Sequence, residues 1–226
     1  MFGNEQRSLA AEKELLTTRL LLTRHGETES NAGRRFSGHS DVALTSLGRA
    51  QARALGRRLR REPIDVAYSS DLARARETAT IALRGRSVKL TTHSGLRELC
   101  FGEWEGKTFQ EVRERWPDSY RQLLVVGDGF CAPGGEPLEI TRERVVGAMS
   151  EIVARHESLN VLIVAHGGTL QILLAHVLGM PPSSMFRLAT GNCGLSIIEF
   201  HGERPFVTLV NDCVHATRVD KPTARG

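Results

Sequence analysis

Along the chain, short runs that are apolar throughout alternate with longer stretches in which apolar residues return every three or four positions. Leu20-Leu21-Leu22-Thr23 and Val161-Leu162-Ile163-Val164-Ala165 are of the first kind, as expected of strands buried on both faces of a parallel sheet. Val66-Ala67-Tyr68-Ser69 reads as a second short strand, and 88–92 as a weaker one. Thr45 offers an N-cap for a helix running to about Arg61, with Leu47, Ala50, Ala54, Leu55 and Leu59 facing inward and Pro63 stopping it. Further helices are predicted over 72–83, from the capping box Thr108-Phe109-Gln110-Glu111 to just before Pro117, and over 118–126. Val145, Met149, Ile152 and Val153 fall at helical spacing on a helix ending near His156, and 169–178 reads as an apolar helix interrupted by Pro181-Pro182. Residues 194–200 with 206–212 form a predicted antiparallel hairpin.

Strands alternating with helices favour an α/β fold: a three-layer α/β/α sandwich with a mostly parallel central sheet and right-handed crossovers. One domain is expected over 19–215, with a small helical cap insertion at about 100–137, an N-terminal extension at 1–18 and a C-terminal tail at 216–226. Within the extension, 8–15 is open to two readings, a short amphipathic helix or a frayed tail.

Composition narrows the class. A chain of 226 residues, 40% hydrophobic and 25% charged, can bury one sizeable core. No run of about 18 apolar residues is present to span a bilayer. The opening segment lacks the apolar stretch of a secretory signal, so a cytoplasmic protein is expected. Cys100, Cys131, Cys193 and Cys213 lie far apart and form none of the close pairs of a zinc or redox site, which leaves reduced, buried thiols and no metal. The net charge of +4 comes almost wholly from arginine, since only Lys13, Lys89, Lys107 and Lys221 are lysines. Guanidinium groups suit phosphate, to which their planar fork donates two bonds at once. The cluster Arg57, Arg58, Arg60, Arg61 reads as the wet side of a helix, and without interleaved aromatics it is no nucleic-acid footprint. Trp104 and Trp116 read as packing residues of the core or cap.

The candidate chemistry sits at strand exits, where an open α/β sheet places its ligands. Arg24-His25-Gly26-Glu27-Thr28 follows the first apolar run, and His166-Gly167-Gly168-Thr169 follows the run ending at Ala165. Two histidines on two strand ends suggest one shared site. His39, His93, His156, His176, His201 and His215 have no motif around them and read as structural or surface groups. A neutral imidazole is a competent nucleophile near its ordinary pKa of about 6.5. The Ser69-Ser70-Asp71 stretch lacks a Gly-x-Ser-x-Gly elbow, and neither a dinucleotide fingerprint nor a Gly-Lys-Ser/Thr nucleotide loop occurs.

Four segments in order, Leu22-Thr23-Arg24-His25-Gly26-Glu27-Thr28, Ser69-Ser70-Asp71-Leu72-Ala73-Arg74-Ala75-Arg76-Glu77-Thr78, Leu96-Arg97-Glu98 and Ala165-His166-Gly167-Gly168, resemble the motifs of the histidine phosphatase superfamily, which includes cofactor-dependent phosphoglycerate mutases. The resemblance covers residues from about 19 to 212. It implies that His25 attacks phosphorus and becomes phosphohistidine, which water then hydrolyses, with no cofactor. Arg24, Arg74 and, if protonated, His166 would supply positive charge to the phosphoryl oxygens, and Asn31 and the amide of Gly167 would complete the phosphate pocket. Glu98 matches the proton donor; its protonated form would come from burial or from the approaching phosphate dianion.

Taken singly, these residues also have plain structural readings. Arg74 could pair only with Glu77 or Glu98, Glu98 could anchor a loop, and His166 could satisfy a backbone carbonyl. Arg76, Glu77 and Glu27 read as surface pairs, Thr28 and Ser30 as bonds to the loop backbone.

Between Glu98 and His166 the interval is compact, with single arginines Arg113, Arg115 and Arg121, whereas phosphoglycerate mutases have a longer insertion and an arginine pair. A small open cap admits water, so hydrolysis of a small phosphorylated metabolite is expected. A mutase is the alternative, and a non-catalytic phospho-ligand-binding module a weaker one. The segments Phe101-Gly102-Glu103-Trp104-Glu105-Gly106 and Pro133-Gly134-Gly135-Glu136 are similar to those of bacterial α-ribazole-phosphate and broad-specificity phosphatases. No nucleic acid or membrane partner is expected; the oligomeric state is left open, a homodimer included.

Overall fold

A computed structural model describes residues 17–126 and 129–219. The segment 8–15 lies outside the described residues, as do Gly127 and 220–226 of the tail. The elements run β1 (Thr17–Arg24), α1 (Glu29–Ala32), α2 (Ser46–Leu59), β2 (Val66–Ser69), α3 (Ala73–Ala82), β3 (Leu90–Thr92), α4 (Phe109–Arg115), α5 (Pro117–Arg121), α6 (Leu138–Arg155), β4 (Asn160–Ala165), α7 (Gly167–Val177), β5 (Leu195–His201), β6 (Arg204–Asp212) and α8 (Val214–Thr217). β1 thus begins two residues inside the stretch read as an extension.

The six strands form one sheet in the order β3-β2-β4-β1-β5-β6. β1 to β4 pair in parallel, and the hairpin β5–β6 joins antiparallel to β1. The continuous apolar runs are buried on both faces, and side-chain alternation divides them between two cores. Leu20, Leu22, Val161 and Ile163 pack with Val145, Met149 and Ile152 of α6 and with α7. Leu21, Leu162 and Val164 pack with Ala52, Leu55 and Leu59 of α2 and with Ala75 and Ala79 of α3. A sheet with a helical layer on each side is the sandwich that the alternation of elements requires.

Three expectations need correction. Of the cysteines read as buried thiols only Cys193 is buried; Cys100 and Cys213 are half-buried and Cys131 is exposed. On α2, Leu47 and Ala50 are only half-buried, and Gly48 and Ala52 take the inner positions. A Cβ on Gly48 would lie 2.0 Å from the carbonyl oxygen of Glu27, so the smallest residue marks the face that the neighbouring loop must touch. The helix expected over 118–126 starts at Pro117, whose fixed φ suits a first helical turn, and widens into a π-helical turn at Gln122–Val126. α4 and α5 lie over the first core, centred on Trp104, which is fully buried against Phe36, Trp116, Tyr120 and Phe130. Among the described residues no helix is long and apolar enough to cross a membrane.

Candidate active site

Parallel pairing sets Arg24 opposite Ala165, and the amide of His25 donates to the Ala165 carbonyl at 3.0 Å. His25 and His166 therefore leave the same sheet edge side by side, their ring centroids 5.2 Å apart. The loop after β1 is held on all sides. Gly26 donates to Thr78 Oγ1 at 3.0 Å and Glu27 to Gln51 Oε1 at 2.9 Å, and a Cβ on Gly26 would lie 2.4 Å from the Gly48 carbonyl oxygen.

Hydrogen bonding fixes the tautomer of both rings. His25 Nδ1 lies 2.7 Å from the Gly26 carbonyl, which can only accept, so Nδ1 carries the proton and Nε2 holds a free lone pair. His166 Nδ1 lies 3.2 Å from Arg74 Nε, which can only donate, so the proton of His166 is on Nε2. That Nε2 is buried without a hydrogen-bond partner among the described residues. Burial, then the charges of Arg74 and Arg24, holds the pKa of His25 well below 6.5. Burial, then Arg74, does the same to His166. In the free site both rings are thus held toward the neutral form, in which His166 presents one N–H in place of a charge.

Arg74, at the start of α3, is buried among backbone acceptors. Its Nη1 donates to the Ser40 carbonyl at 2.8 Å and its Nη2 to the Gly38 carbonyl at 2.6 Å, so it pairs with neither Glu77 nor Glu98. Glu77 bonds Arg49 instead, Nε to Oε1 at 2.6 Å. Arg24 donates from Nη1 to the Thr190 carbonyl at 2.8 Å, and its buried Nε has no partner. Asn31, at the end of the α1 capping box, accepts at Oδ1 from the Thr28 amide at 3.1 Å and from Asn192 Nδ2 at 3.2 Å, which leaves its own amide protons unassigned. Glu98 reaches in from the loop before residue 99: Oε1 accepts from Leu99 N at 3.0 Å and Oε2 from Gly168 N at 3.1 Å.

Arg24, His25, Asn31, Arg74, Glu98 and Gly167 all line one cavity of about 280 Å³. His166 is fully buried beside His25. Phe36, Phe101, Phe109, Tyr120, Leu123 and Phe186 form the apolar wall of the same cavity. The N-terminus of α7, at Gly167, adds its partial positive charge to the floor. Among the described residues no group of three or more His, Cys, Asp or Glu side chains could hold a metal ion.

Several supporting residues had no sequence signal. Asn192 Nδ2 donates to the His25 carbonyl at 3.0 Å, and Thr190 lies in the same motif-free segment. His39, read as structural, donates from Nε2 to the Glu98 carbonyl at 2.8 Å. Glu105 accepts from the amides of His39 at 2.9 Å, Ser40 at 2.8 Å and Phe101 at 3.2 Å, and so holds the loop whose carbonyls hold Arg74.

Two arginines, two histidines and a helix N-terminus gather at the carboxyl edge of a mostly parallel α/β sheet, a set of donors that suits an oxyanion. The chain belongs to the histidine phosphatase superfamily, whose branch 1 profile matches residues 20–213. It is 37% identical over 175 residues to the adenosylcobalamin/alpha-ribazole phosphatase of Salmonella typhimurium, covering 76% of this chain and 87% of that one. A Salmonella choleraesuis protein named "Probable phosphoglycerate mutase GpmB" is 37% identical over 181 residues, 79% of this chain and 83% of its own length. Among solved structures, the phosphoserine phosphatase of Entamoeba histolytica in complex with 3-phosphoglyceric acid superposes with a TM-score of 0.79 at 29% identity, covering 88% of this chain and 99% of that one.

Proposed function

We propose that the protein is a metal-independent phosphatase that hydrolyses a small-molecule phosphomonoester through phosphohistidine at His25. The observation that supports it most is the Nδ1 bond of His25 to the Gly26 carbonyl, which leaves the Nε2 lone pair of a neutral ring in a pocket floored by Arg24 and Arg74.

In the first half-reaction Nε2 of His25 bonds to phosphorus as the ester P–O bond breaks, and the leaving oxygen takes a proton from Glu98. The phosphorylated ring becomes cationic, and the Gly26 carbonyl at its Nδ1–H stabilises that charge. Arg24, Arg74, the Nε2–H of His166, the Asn31 amide and the Gly167 N–H bind the three oxygens of the phosphoryl group in flight. In the second half-reaction water adds to phosphorus, its proton passes to Glu98, and the N–P bond breaks. Inorganic phosphate leaves and His25 returns to its neutral form.

Under this reading the protein works in the cytoplasm on a small phosphorylated metabolite, as a monomer or a homodimer. The apolar wall suits the ester's organic part. The identity to a protein named as a phosphoglycerate mutase favours one second reading, a mutase that returns the phosphoryl group to a bound acceptor. Phosphate release from a panel of phosphomonoesters, with chelator present, separates them. Release that survives the chelator and disappears in His25→Ala supports the phosphatase. Interconversion of 2- and 3-phosphoglycerate without release overturns it in favour of the mutase, and retention of unchanged ester leaves only a binding module.

A further inference from the structure

The proton-transfer role proposed for Glu98 needs a carboxyl fixed within a few tenths of an ångström of the leaving oxygen, yet Glu98 stands on irregular backbone beyond the 3₁₀ turn Ser94–Leu96. That backbone is not held by secondary structure. It is held by Arg144, from the middle of α6. Arg144 Nη1 donates to the carbonyls of Gly95 and Arg97, each at 3.0 Å, and Nη2 to the carbonyl of Glu98 at 3.2 Å. Its two remaining N–H groups are taken by Glu136, Nε to Oε1 at 3.0 Å and Nη2 to Oε2 at 2.7 Å. All five guanidinium donors are engaged, which only the planar fork of arginine can do.

Glu136 is fixed in turn. Its amide donates to the Cys100 carbonyl at 3.0 Å, and a Cβ on Gly135 would lie 2.5 Å from that oxygen, so the Pro133-Gly134-Gly135-Glu136 turn lies flat on the segment following Glu98. Two further bonds reach the same stretch, from Thr169 Oγ1 to the Arg97 carbonyl at 3.0 Å and from His39 to that of Glu98. Neither Arg144 nor Glu136 is among the residues that line the cavity; both act on the backbone around Glu98.

We propose that Arg144, oriented by Glu136, is a positioning residue for Glu98: it sets the backbone from which the carboxyl reaches the leaving oxygen, and so governs protonation of the leaving group rather than binding of the phosphate. The proposal rests on the role given to Glu98 above. A readout exists that a general loss of packing would not move. An ester whose alcohol leaves readily as an anion, such as p-nitrophenyl phosphate, needs little help from an acid, whereas an alkyl phosphate needs a great deal. The ratio kcat/KM reports bond cleavage to the leaving group and is unaffected by later hydrolysis of phosphohistidine.

The test compares kcat/KM for an alkyl phosphate and for p-nitrophenyl phosphate in the native protein, Arg144→Lys, Glu136→Gln and Glu98→Gln, each with its circular dichroism spectrum and Tm. For Arg144→Lys the alkyl ester is expected to lose about tenfold or more, a part of the ~10²–10⁴-fold that a general acid supplies, and the aryl ester much less. Glu136→Gln, which keeps a neutral acceptor for Nε, is expected to show the same selectivity in weaker form. Equal losses on both esters, or none, in a folded Arg144→Lys overturn the proposal. If Arg144→Lys does not fold, Glu136→Gln decides alone by the same criterion. If Glu98→Gln itself shows no leaving-group selectivity, the reading of Glu98 has failed and the clamp's function falls with it, an outcome distinguishable from a clamp that fails while Glu98 is upheld.

Discussion

Arg74 donates its Nε–H to Nδ1 of His166, so one buried guanidinium both lends charge to the phosphate pocket and decides which nitrogen of the neighbouring ring bears the proton. Lysine at position 74 would keep a charge but lose the fixed fork that holds the Gly38 and Ser40 carbonyls and the His166 tautomer together. Arg74→Lys is expected to lower kcat by about 10²-fold or more, the scale of losing one oriented donor to a developing oxyanion. Steady-state kinetics on one good ester check this, and a loss under threefold would deny Arg74 its place in the pocket.

The low pKa values of His25 and His166 make a statement about stability. In the folded, unliganded protein both rings stay neutral below 6.5, the ordinary value at which they protonate in the unfolded chain. Between the folded and unfolded pKa values the unfolded state binds more protons, so stability rises with pH through that window and is lost on acidification. Thermal melts should show Tm falling as pH drops below about 6.5, and falling less in His166→Gln, where one of the two groups is gone. A native Tm that holds steady down to pH 5 would contradict it.

Gly168 leaves room for the Glu98 carboxylate beside it. A Cβ there would lie 2.6 Å from Glu98 Oε1, closer than any real Cβ contact. Gly168→Ala is expected to fold and to bind inorganic phosphate, but to lose kcat/KM on alkyl phosphates as Glu98 is pushed aside. Phosphate affinity by calorimetry together with the rate on an alkyl ester tests this, and unchanged rates would show that the carboxyl has room to move.

Trp104 is fully buried in the aromatic cluster beneath α4 and α5. Trp104→Ala is expected to cost about 3–5 kcal/mol, since a cavity of that size cannot close. Denaturant unfolding of the variant measures it, and a change near 1 kcal/mol would mean that the cap helices settle into the space.

Features set by local chemistry were legible in the sequence. The capping box at Thr108 and Glu111 has both its reciprocal bonds, and the apolar runs at 20–22 and 161–165 are buried on both faces. What escaped depended on close approach. α7 begins at Gly167, two residues ahead of its predicted start, because two glycines disfavoured in a helix interior sit in a first turn where Arg24 and Glu98 come near. Gly48 replaced Leu47 on the inner face of α2 for the same reason. In the candidate site, the groups that point into the cavity stand in motifs at strand ends, whereas those that hold them do so through backbone carbonyls. Arg144, Thr190 and Asn192 leave no periodicity and no spacing to read.

β4 enters the sheet between β1 and β2, although it follows both by a long stretch of chain. The strand beside His25 on its parallel side therefore comes from residues 160–165, far along the chain from β1 and β2. A nascent or truncated chain ending before that point has half a pocket and no neighbour strand for Arg24. Any activity that needs His25 and His166 together, held by Thr190 and Asn192, thus requires the chain to at least residue 192, so turnover would itself report that the sheet's centre has been filled.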